Sequence, residues 1–359
     1  MLINPDTIRR KSRKIKIGNI SIGGNSDITV QSMTTTDTTN VDETVKQVHI
    51  LEEAGCDIVR ISAPTMDSAI ALKSIKENIS IPLVADIHFD YRIALEAAKY
   101  ADKIRINPGN IGSEDKVRQV VEQCKQHSIP MRIGVNLGSL QRDLEQKYGY
   151  TAPAMIESAL RHCSLVENMD FHDIVVSLKA SEVPIMIEAY RKFAEKTDYP
   201  LHLGVTEAGR KFEGSIKSAI GIGILLSEGI GDTIRVSLSD EPVEEVKAGW
   251  SILKSLKLRK RGIEITSCPT CARTDINVIK LAEEIERRTA HIKDSVHVAI
   301  MGCAVNGPGE SKRAEIGIVG GPDKHLVYVD GKIQKWTSEK EAADEIVRMI
   351  EGKIGKQIY

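Results

Sequence analysis

The chain reads as an α/β protein, a (β/α)8 TIM barrel over residues 1–258 followed by a smaller α+β domain over residues 259–359. Three observations predict this. From Ile28 to about Ser255 a short β-branched apolar run, a turn and a longer stretch with helical spacing recur eight times. No strand candidate is followed by the full GxGxxG fingerprint that an open dinucleotide-binding sheet places after its first strand. After Leu258 the run RKRG breaks the pattern, strands succeed one another, and Asp330-Gly331 gives a two-residue hairpin signal.

The barrel strands are expected, in order, at ITVQS (28–32), DIVRIS (57–62), PLVADIH (82–88), KIRINP (103–108), MRIGVN (131–136), DIVVSLK (173–179), LHLGVTE (201–207) and TIRVSL (233–238). Helices fit between them, for example over residues 41–54, 114–127 and 182–196. Strict alternation implies a parallel sheet with right-handed crossovers, and eight units suit a closed barrel better than an open doubly wound sheet. In the second domain, strands are expected at 263–267, 296–301, 315–320, 325–329 and 332–336, with helices at 276–285 and 339–350.

Composition narrows the function. With 49 basic and 50 acidic residues in 359, and only 4% aromatic content, no global field or stacking surface points to nucleic acid or to an anionic membrane. The basic run RRKSRKIK (9–16) is expected to be a solvated arm without a role. The N-terminal MLINPDTIRRKSRK lacks the apolar core of a secretory signal, and the most apolar later stretch, residues 219–226, is far too short to span a bilayer. A cytoplasmic protein is therefore expected. In that compartment the six cysteines are not a disulfide framework.

Barrel chemistry sits at the C-terminal ends of the strands. Those ends carry Arg60, Asp86, His88, Arg105, Asn107, Arg132, Asn136, Ser177, Lys179, Thr206, Glu207, Arg235 and Ser237. Residues two apart on a strand share a face, so five cations converge if that face is the lumen. Each could instead be scaffolding paired with a neighbouring carboxylate. Only Asp86 and Glu207 are available nearby in the sequence, however, and crowded cations cost free energy unless an anion is bound. Arginine forks suit phosphate, so the expected ligand carries two or more phosphates.

Cys56, Cys124 and Cys163 lie singly, whereas Cys268-Pro-Thr-Cys271 and Met301-Gly-Cys303 directly follow apolar strands. A CxxC serves thioredoxin-like pairs, zinc sites and iron-sulfur clusters alike. The first reading gives Cys303 no role, and the second needs His297 or a carboxylate as fourth ligand. Three thiolates on a cluster leave one iron with a weaker ligand, which suits chemistry on substrate; Glu310, in the Gly-Pro-Gly-Glu turn after Cys303, is a candidate.

The segments VQSMT (30–34), AGCDIVR (54–60), ADIHF (85–89), RINPGNIG (105–112), RIGVNLGSL (132–140), LHLGVTEAG (201–209), KSAIGIGILL (217–226), GIGDTIRVSL (229–238), CPTCAR (268–273) and MGCAVNGPGE (301–310) make the chain resemble the 4-hydroxy-3-methylbut-2-en-1-yl diphosphate synthase family of the methylerythritol phosphate pathway, in its bacterial two-domain form. The resemblance implies reductive ring opening of 2-C-methyl-D-erythritol 2,4-cyclodiphosphate with loss of water, in isoprenoid precursor biosynthesis. It implies a [4Fe-4S] cluster on Cys268, Cys271, Cys303 and Glu310. It also implies ligand contacts by Arg60, Arg105, Arg132, Asn136, Lys179, His202, Thr206, Arg235 and Ser237, with Glu207 as the acid/base group. Ferredoxin or flavodoxin would supply electrons. Ala272 departs from the glycine usual in the family and would perturb the loop if its φ were positive.

The competing functions are an electron carrier or zinc-stabilised binding module with the barrel as scaffold, and a non-redox phosphate-ligand barrel enzyme with a structural zinc. A homodimer is expected as well. The eighth helix returns the chain to the bottom of the barrel, and a short link cannot carry the cluster domain up to its own barrel's mouth.

Overall fold

The computed structural model describes residues 9–357; residues 1–8, with the first part of the stretch read above for a leader, lie outside the described residues. The chain divides into two compact units, Met1–Arg259 and Lys260–Tyr359.

In the first unit a small antiparallel hairpin, β1 (Ile15–Ile17) and β2 (Ile20–Ile22), precedes the barrel. The barrel strands are β3 (Thr29–Met33), β4 (Ile58–Ser62), β5 (Leu83–Asp86), β6 (Lys103–Ile106), β7 (Met131–Asn136), β8 (Ile174–Lys179), β9 (His202–Leu203) and β10 (Thr233–Ile234). All pair in parallel in the order β8-β7-β6-β5-β4-β3-β10-β9, and a bridge between Val176 and Leu201 closes the ring. Each strand sends one set of aliphatic side chains outward, such as Ile104 and Ile106, into the core shared with the helices. The helices start and stop where the local chemistry dictates. Asn40 caps Val41–Ala54, and Gly55 ends that helix at φ 100°, a left-handed conformation that glycine tolerates.

The hairpin plugs one end of the barrel. Ile15, Ile17 and Ile22 form one buried cluster with Ile58, Val84 and Val175, which lie at or near the N-terminal ends of their strands. This overturns the solvated-arm expectation for residues 9–16. Arg9 donates to Asp232 (2.8 Å) and to the Ser26 carbonyl, Arg10 donates to the carbonyls of Ala194, Thr197 and Tyr199, and Arg13 pairs with Asp198 at 2.6 Å. Loop and helix-end carbonyls and a buried carboxylate recruit the arginines, an arrangement that residue type alone does not reveal.

The last two barrel strands are shorter than the sequence pattern. Beyond Leu203 and Ile234 the backbone finds other partners: Thr206 N–H donates to the Ala180 carbonyl (3.2 Å), and Leu238 N–H donates to the Glu245 carboxylate (3.1 Å). The mouth opens there. Short helices Pro108–Ile111 and Arg142–Tyr148 also stand in the loops after β6 and β7.

The second unit is a mixed sheet in sequence order, β11 (Ile263–Ser267), β12 (Val296–Met301), β13 (Ile316–Val319), β14 (His325–Val329) and β15 (Lys332–Thr337). The first three strands are parallel and the rest antiparallel. Helices Val278–Thr289 and Glu339–Gln357 cover one face. Asp330 and Gly331, at φ 49° and 74°, make the tight hairpin turn between β14 and β15. Among the described residues no helix is long and apolar enough to cross a membrane.

Candidate functional site

A cavity of about 100 Å³ at the C-terminal ends of the barrel strands is lined by Arg60, Asp86, His88, Arg105, Arg132, Asn136, Ser177, Lys179, Thr206, Arg235 and Ser237. Eight of the nine expected ligand contacts thus meet in one place. The room for them comes from two lumen-facing glycines. A Cβ on Gly134 would stand 2.7 Å from Arg105 Nε, and one on Gly204 would stand 2.9 Å from Lys179 Nζ.

Two carboxylates partly balance the five cations. Asp86 Oδ1 lies 3.2 Å from Arg105 Nη1, and its Oδ2 lies 3.6 Å from Arg60 Nε. Burial alone would raise the Asp86 pKa, but Arg60, Arg105, His88 and Arg132 outweigh it and hold the group well below the usual carboxylate range. The second carboxylate corrects an expectation. It is Glu245, from helix Pro242–Ser255, which grips Arg235 with both oxygens at 3.0 and 3.1 Å and also accepts from Ser32. Glu207, expected among the cations, is exposed and outside the cavity lining. Its φ of 53° is uncommon for a side-chain-bearing residue and fits a strained position next to a site.

Five cations against two carboxylates leave a net positive lumen. Burial and mutual repulsion push the pKa of Arg132 and Lys179 well below their ordinary values, and that of Arg60 down to about 10. An anion on the ring would relieve all three. His202 departs from expectation. It opens β9, two residues below Gly204, and is fully buried beneath the cavity, its Nδ1 3.3 Å from Thr233 Oγ1 and its Nε2 without a partner.

In the second unit β11 and β12 end side by side, which brings the two cysteine loops together. Cys268 N–H donates to the Ile300 carbonyl (3.3 Å), Asp275 N–H donates to the Gly302 carbonyl (2.8 Å), and Gly302 N–H donates to Cys268 Sγ (3.0 Å). A Cβ at Gly302 would lie 3.3 Å from that sulfur and closer still to Thr274. The cysteines divide by environment. Cys56 and Cys124 are buried, with thiols pushed up to about 12, and burial raises the Cys163 thiol as well. The Arg273 backbone N–H lowers that of exposed Cys271.

Glu310 sits on helix Gly307–Arg313, not in the turn expected from Gly-Pro-Gly-Glu, because Pro308 at the first positions of a helix is favourable. Ala272 is not among the described non-glycine residues with positive φ, so its methyl group is not strained. The donor set suits an iron-sulfur cluster: three free thiols at adjacent strand ends, a backbone N–H aimed at one sulfur, and a carboxylate on the following helix. Among the described residues, no three Cys, His, Asp or Glu side chains converge closely enough to hold a metal ion. The strands bring the loops together, and metal binding itself commonly completes such a sphere.

Residues 12–250 match the GcpE TIM-barrel domain, and residues 264–352 match the GcpE protein C-terminal domain. The chain belongs to the GcpE family. It is 56% identical to the 4-hydroxy-3-methylbut-2-en-1-yl diphosphate synthase (flavodoxin) of Symbiobacterium thermophilum, over 96% of this chain and 94% of that protein. Identity to the proteins of the same name from Caldanaerobacter subterraneus subsp. tengcongensis and Clostridium perfringens is 55% and 56%, over 98% and 96% of this chain and 99% of each relative. Among solved structures, dihydropteroate synthase from Stenotrophomonas maltophilia covers 68% of the chain and 97% of its own at a TM-score of 0.51 and 14% identity, a likeness of barrel fold alone.

Within this GcpE chain, sequence reasoning missed Glu245 and Lys103. Glu245 lies on a helix outside the strand-end pattern, and only its position seven residues after Leu238 hinted at a return to the mouth. Lys103 begins β6 on the same face as Arg105, fully buried. Alternation along that strand was the available signal.

Proposed function

We propose that the chain opens the ring of 2-C-methyl-D-erythritol 2,4-cyclodiphosphate by two-electron reduction and releases 4-hydroxy-3-methylbut-2-en-1-yl diphosphate and water, in the cytoplasm. The observation that carries this reading is the excess of cations over carboxylates at the barrel mouth, joined to a second unit with three free thiols at neighbouring strand ends. Residues 1–258 bind the substrate and residues 259–359 hold the cluster. The electron-carrier and zinc-module alternatives leave the cation ring without a task.

Arg60, Arg105, Arg132, Lys179 and Arg235 hold the diphosphate, so the negative charge that grows on the leaving oxygen meets donors already in place. Asn136, Thr206 and Ser237 orient the carbon skeleton by neutral hydrogen bonds, and His202 supports the ring from beneath. Glu207 delivers the proton to the departing hydroxyl. It stands outside the cation ring, where solvent reaches it. Cys268, Cys271, Cys303 and Glu310 would hold a [4Fe-4S] cluster, which when bound supplies electrons one at a time. The flavodoxin in the relatives' name favours flavodoxin as reductant, with ferredoxin as the alternative.

The working unit is a homodimer in which a second copy helps complete the site. Arg259, the last residue of the barrel unit, donates to Asp57 at 2.6 Å and to the Ile28 carbonyl at 3.0 Å, next to the starts of β4 and β3. The chain thus leaves the barrel at the end away from the mouth. Anaerobic turnover of the cyclodiphosphate with an artificial reductant tests the activity. A brown protein that converts it supports the reading, and a colourless protein that binds zinc and turns nothing over sinks it.

A further inference from the structure

Beneath the cation ring lies a second polar layer, of which the ligand reading uses only Arg132 and His202. Lys103 Nζ, Gln31 Nε2, Thr29 Oγ1, His202 Nε2 and Arg132 Nε are all buried without a hydrogen-bond partner. Lys103 stands two residues before Arg105 on the lumen face and in register with Val84. Val84 packs in the aliphatic plug with Ile15, Ile17, Ile22 and Ile58. The amine therefore lies between an apolar floor and a cationic ceiling.

Nothing on the surrounding elements offers it a counter-charge. The charged neighbours that act on it are Arg132 of β7 and Arg60 of β4, and His202 of β9 is close enough to feel its charge. Asp86 of β5 is engaged by Arg60 and Arg105, and Glu245 by Arg235 of β10. β3 contributes Thr29 and Gln31, β8 contributes Lys179 and Ser177, and the plug contributes only isoleucines. An ammonium requires acceptors, yet the two possible acceptors of this layer, Thr29 Oγ1 and His202 Nε2, make no hydrogen bond with Lys103 Nζ. A neutral amine left without partners costs less than an ammonium there, and burial together with Arg132 and Arg60 pushes the Lys103 pKa well below its ordinary value.

We propose that Lys103 is a reversible counter-charge for the anion site, a neutral amine that takes up one proton from solvent when a diphosphate group binds on the ring above it. The proposal rests on the reading of the cavity as an anion site. The step joins the amine lone pair to a solvent proton and moves no other electrons; release of the anion reverses it. The Cα atoms of Lys103 and Arg105 stand two strand residues apart, about 7 Å, and Arg132 and Arg60 of the ring already act on the amine through space, so an anion held by those guanidinium groups favours the ammonium. Binding is then favoured at low pH. Between the pKa of Lys103 without and with the anion, affinity falls as pH rises, by up to about tenfold per pH unit for one linked proton.

The test is calorimetric titration of the full-length protein with inorganic pyrophosphate, in buffers of different ionisation heat, from about pH 6 to 9. Lys103→Met and Lys103→Gln are compared with the natural protein. Both variants should bind pyrophosphate while taking up about one proton fewer, with a correspondingly flatter dependence of affinity on pH. Proton uptake unchanged in the variants would assign the proton to His202 or to the ligand and overturn the proposal while leaving the anion site intact. Pyrophosphate itself loses protons on a cationic site in this pH range, so the net exchange of the natural protein alone decides nothing; an equal net exchange in the natural protein and both variants would overturn the proposal whatever its sign. Absence of binding in the natural protein would remove the anion site itself, and the proposal with it.

Discussion

Gly134 sets the position of a guanidinium. A methyl group there would press on Arg105 Nε and Nη2 at 2.7 and 2.8 Å, so Gly134→Ala should displace Arg105 from the ring while the strand persists. We expect kcat/KM to fall roughly tenfold, as for loss of one charge-assisted contact, with a smaller change in Tm. Arg105→Leu, Arg132→Leu and Arg235→Leu should each cost at least about as much, and full binding in all three would place the diphosphate elsewhere. A different residue controls acid stability. His162 is buried under Gly109 and Gln141, accepts from Gln141 Nε2 at 2.6 Å, and has its pKa lowered to about 4, mainly by burial and then by Arg161. The unfolded chain binds this proton at higher pH than the folded one. Stability should therefore decline as pH falls from about 6.5 to 4, by up to about 3 kcal/mol from this group. Denaturant unfolding of His162→Gln should show a shallower decline over that window, and an unchanged slope would remove His162 as the cause.

Helix Gly307–Arg313 carries Glu310 and rests on β13 through a contact that only glycine permits. A Cβ on Gly317 would run into the Ser311 side chain. Gly317→Ala should push the helix off the sheet and make the cluster labile to oxygen, measured as loss of visible absorbance over time. Retained lability equal to the natural protein would mean that the helix does not govern the coordination sphere. The paired cysteine loops give a sharper contrast. Serine at Cys268, Cys271 or Cys303 should lose iron and activity, whereas serine at Cys56, Cys124 or Cys163 should retain iron, because those side chains sit in the barrel core as small apolar groups. Full iron in any of the first three variants would overturn the ligand assignment. Glu310→Ala should lower iron per chain without abolishing assembly, since three thiolates remain.

For the molecule as a whole, the decisive experiment is complementation. Cys303→Ser removes a proposed cluster ligand and Glu207→Gln the proposed acid, so each variant alone should be nearly inactive. If the site draws on two copies, mixed dimers should regain activity, because one of their two sites combines an intact barrel with an intact cluster. Subunit exchange confirmed by tagged pull-down with no return of activity would confine the site to one chain. The N-terminal hairpin also acts at this scale. Since Ile15, Ile17 and Ile22 close the barrel floor beneath Lys103, deleting residues 1–23 should open the lumen to water and lower Tm far more than loss of a surface arm would.

Much of this protein is written in local pattern. Period-two alternation between turn signals located all eight barrel strands, and helix Val41–Ala54 runs between the limits its spacing implied. The cations were legible for the same reason: a side chain two residues from a strand end points where its alternation directs it. The Asp330-Gly331 turn is equally local, a matter of two residues that tolerate positive φ. Tertiary structure decided what depends on partners far apart in the chain. Glu245 reaches Arg235 from a helix, Arg9 finds Asp232 across 223 residues, and Glu207 falls outside the ring although it lies next to Thr206. Lys103 looks ordinary as a letter. Only the closed barrel, which puts aliphatic side chains below it and guanidinium groups above, makes its charge a question, because the cost of a charge is set by the space around it and not by its place in the sequence.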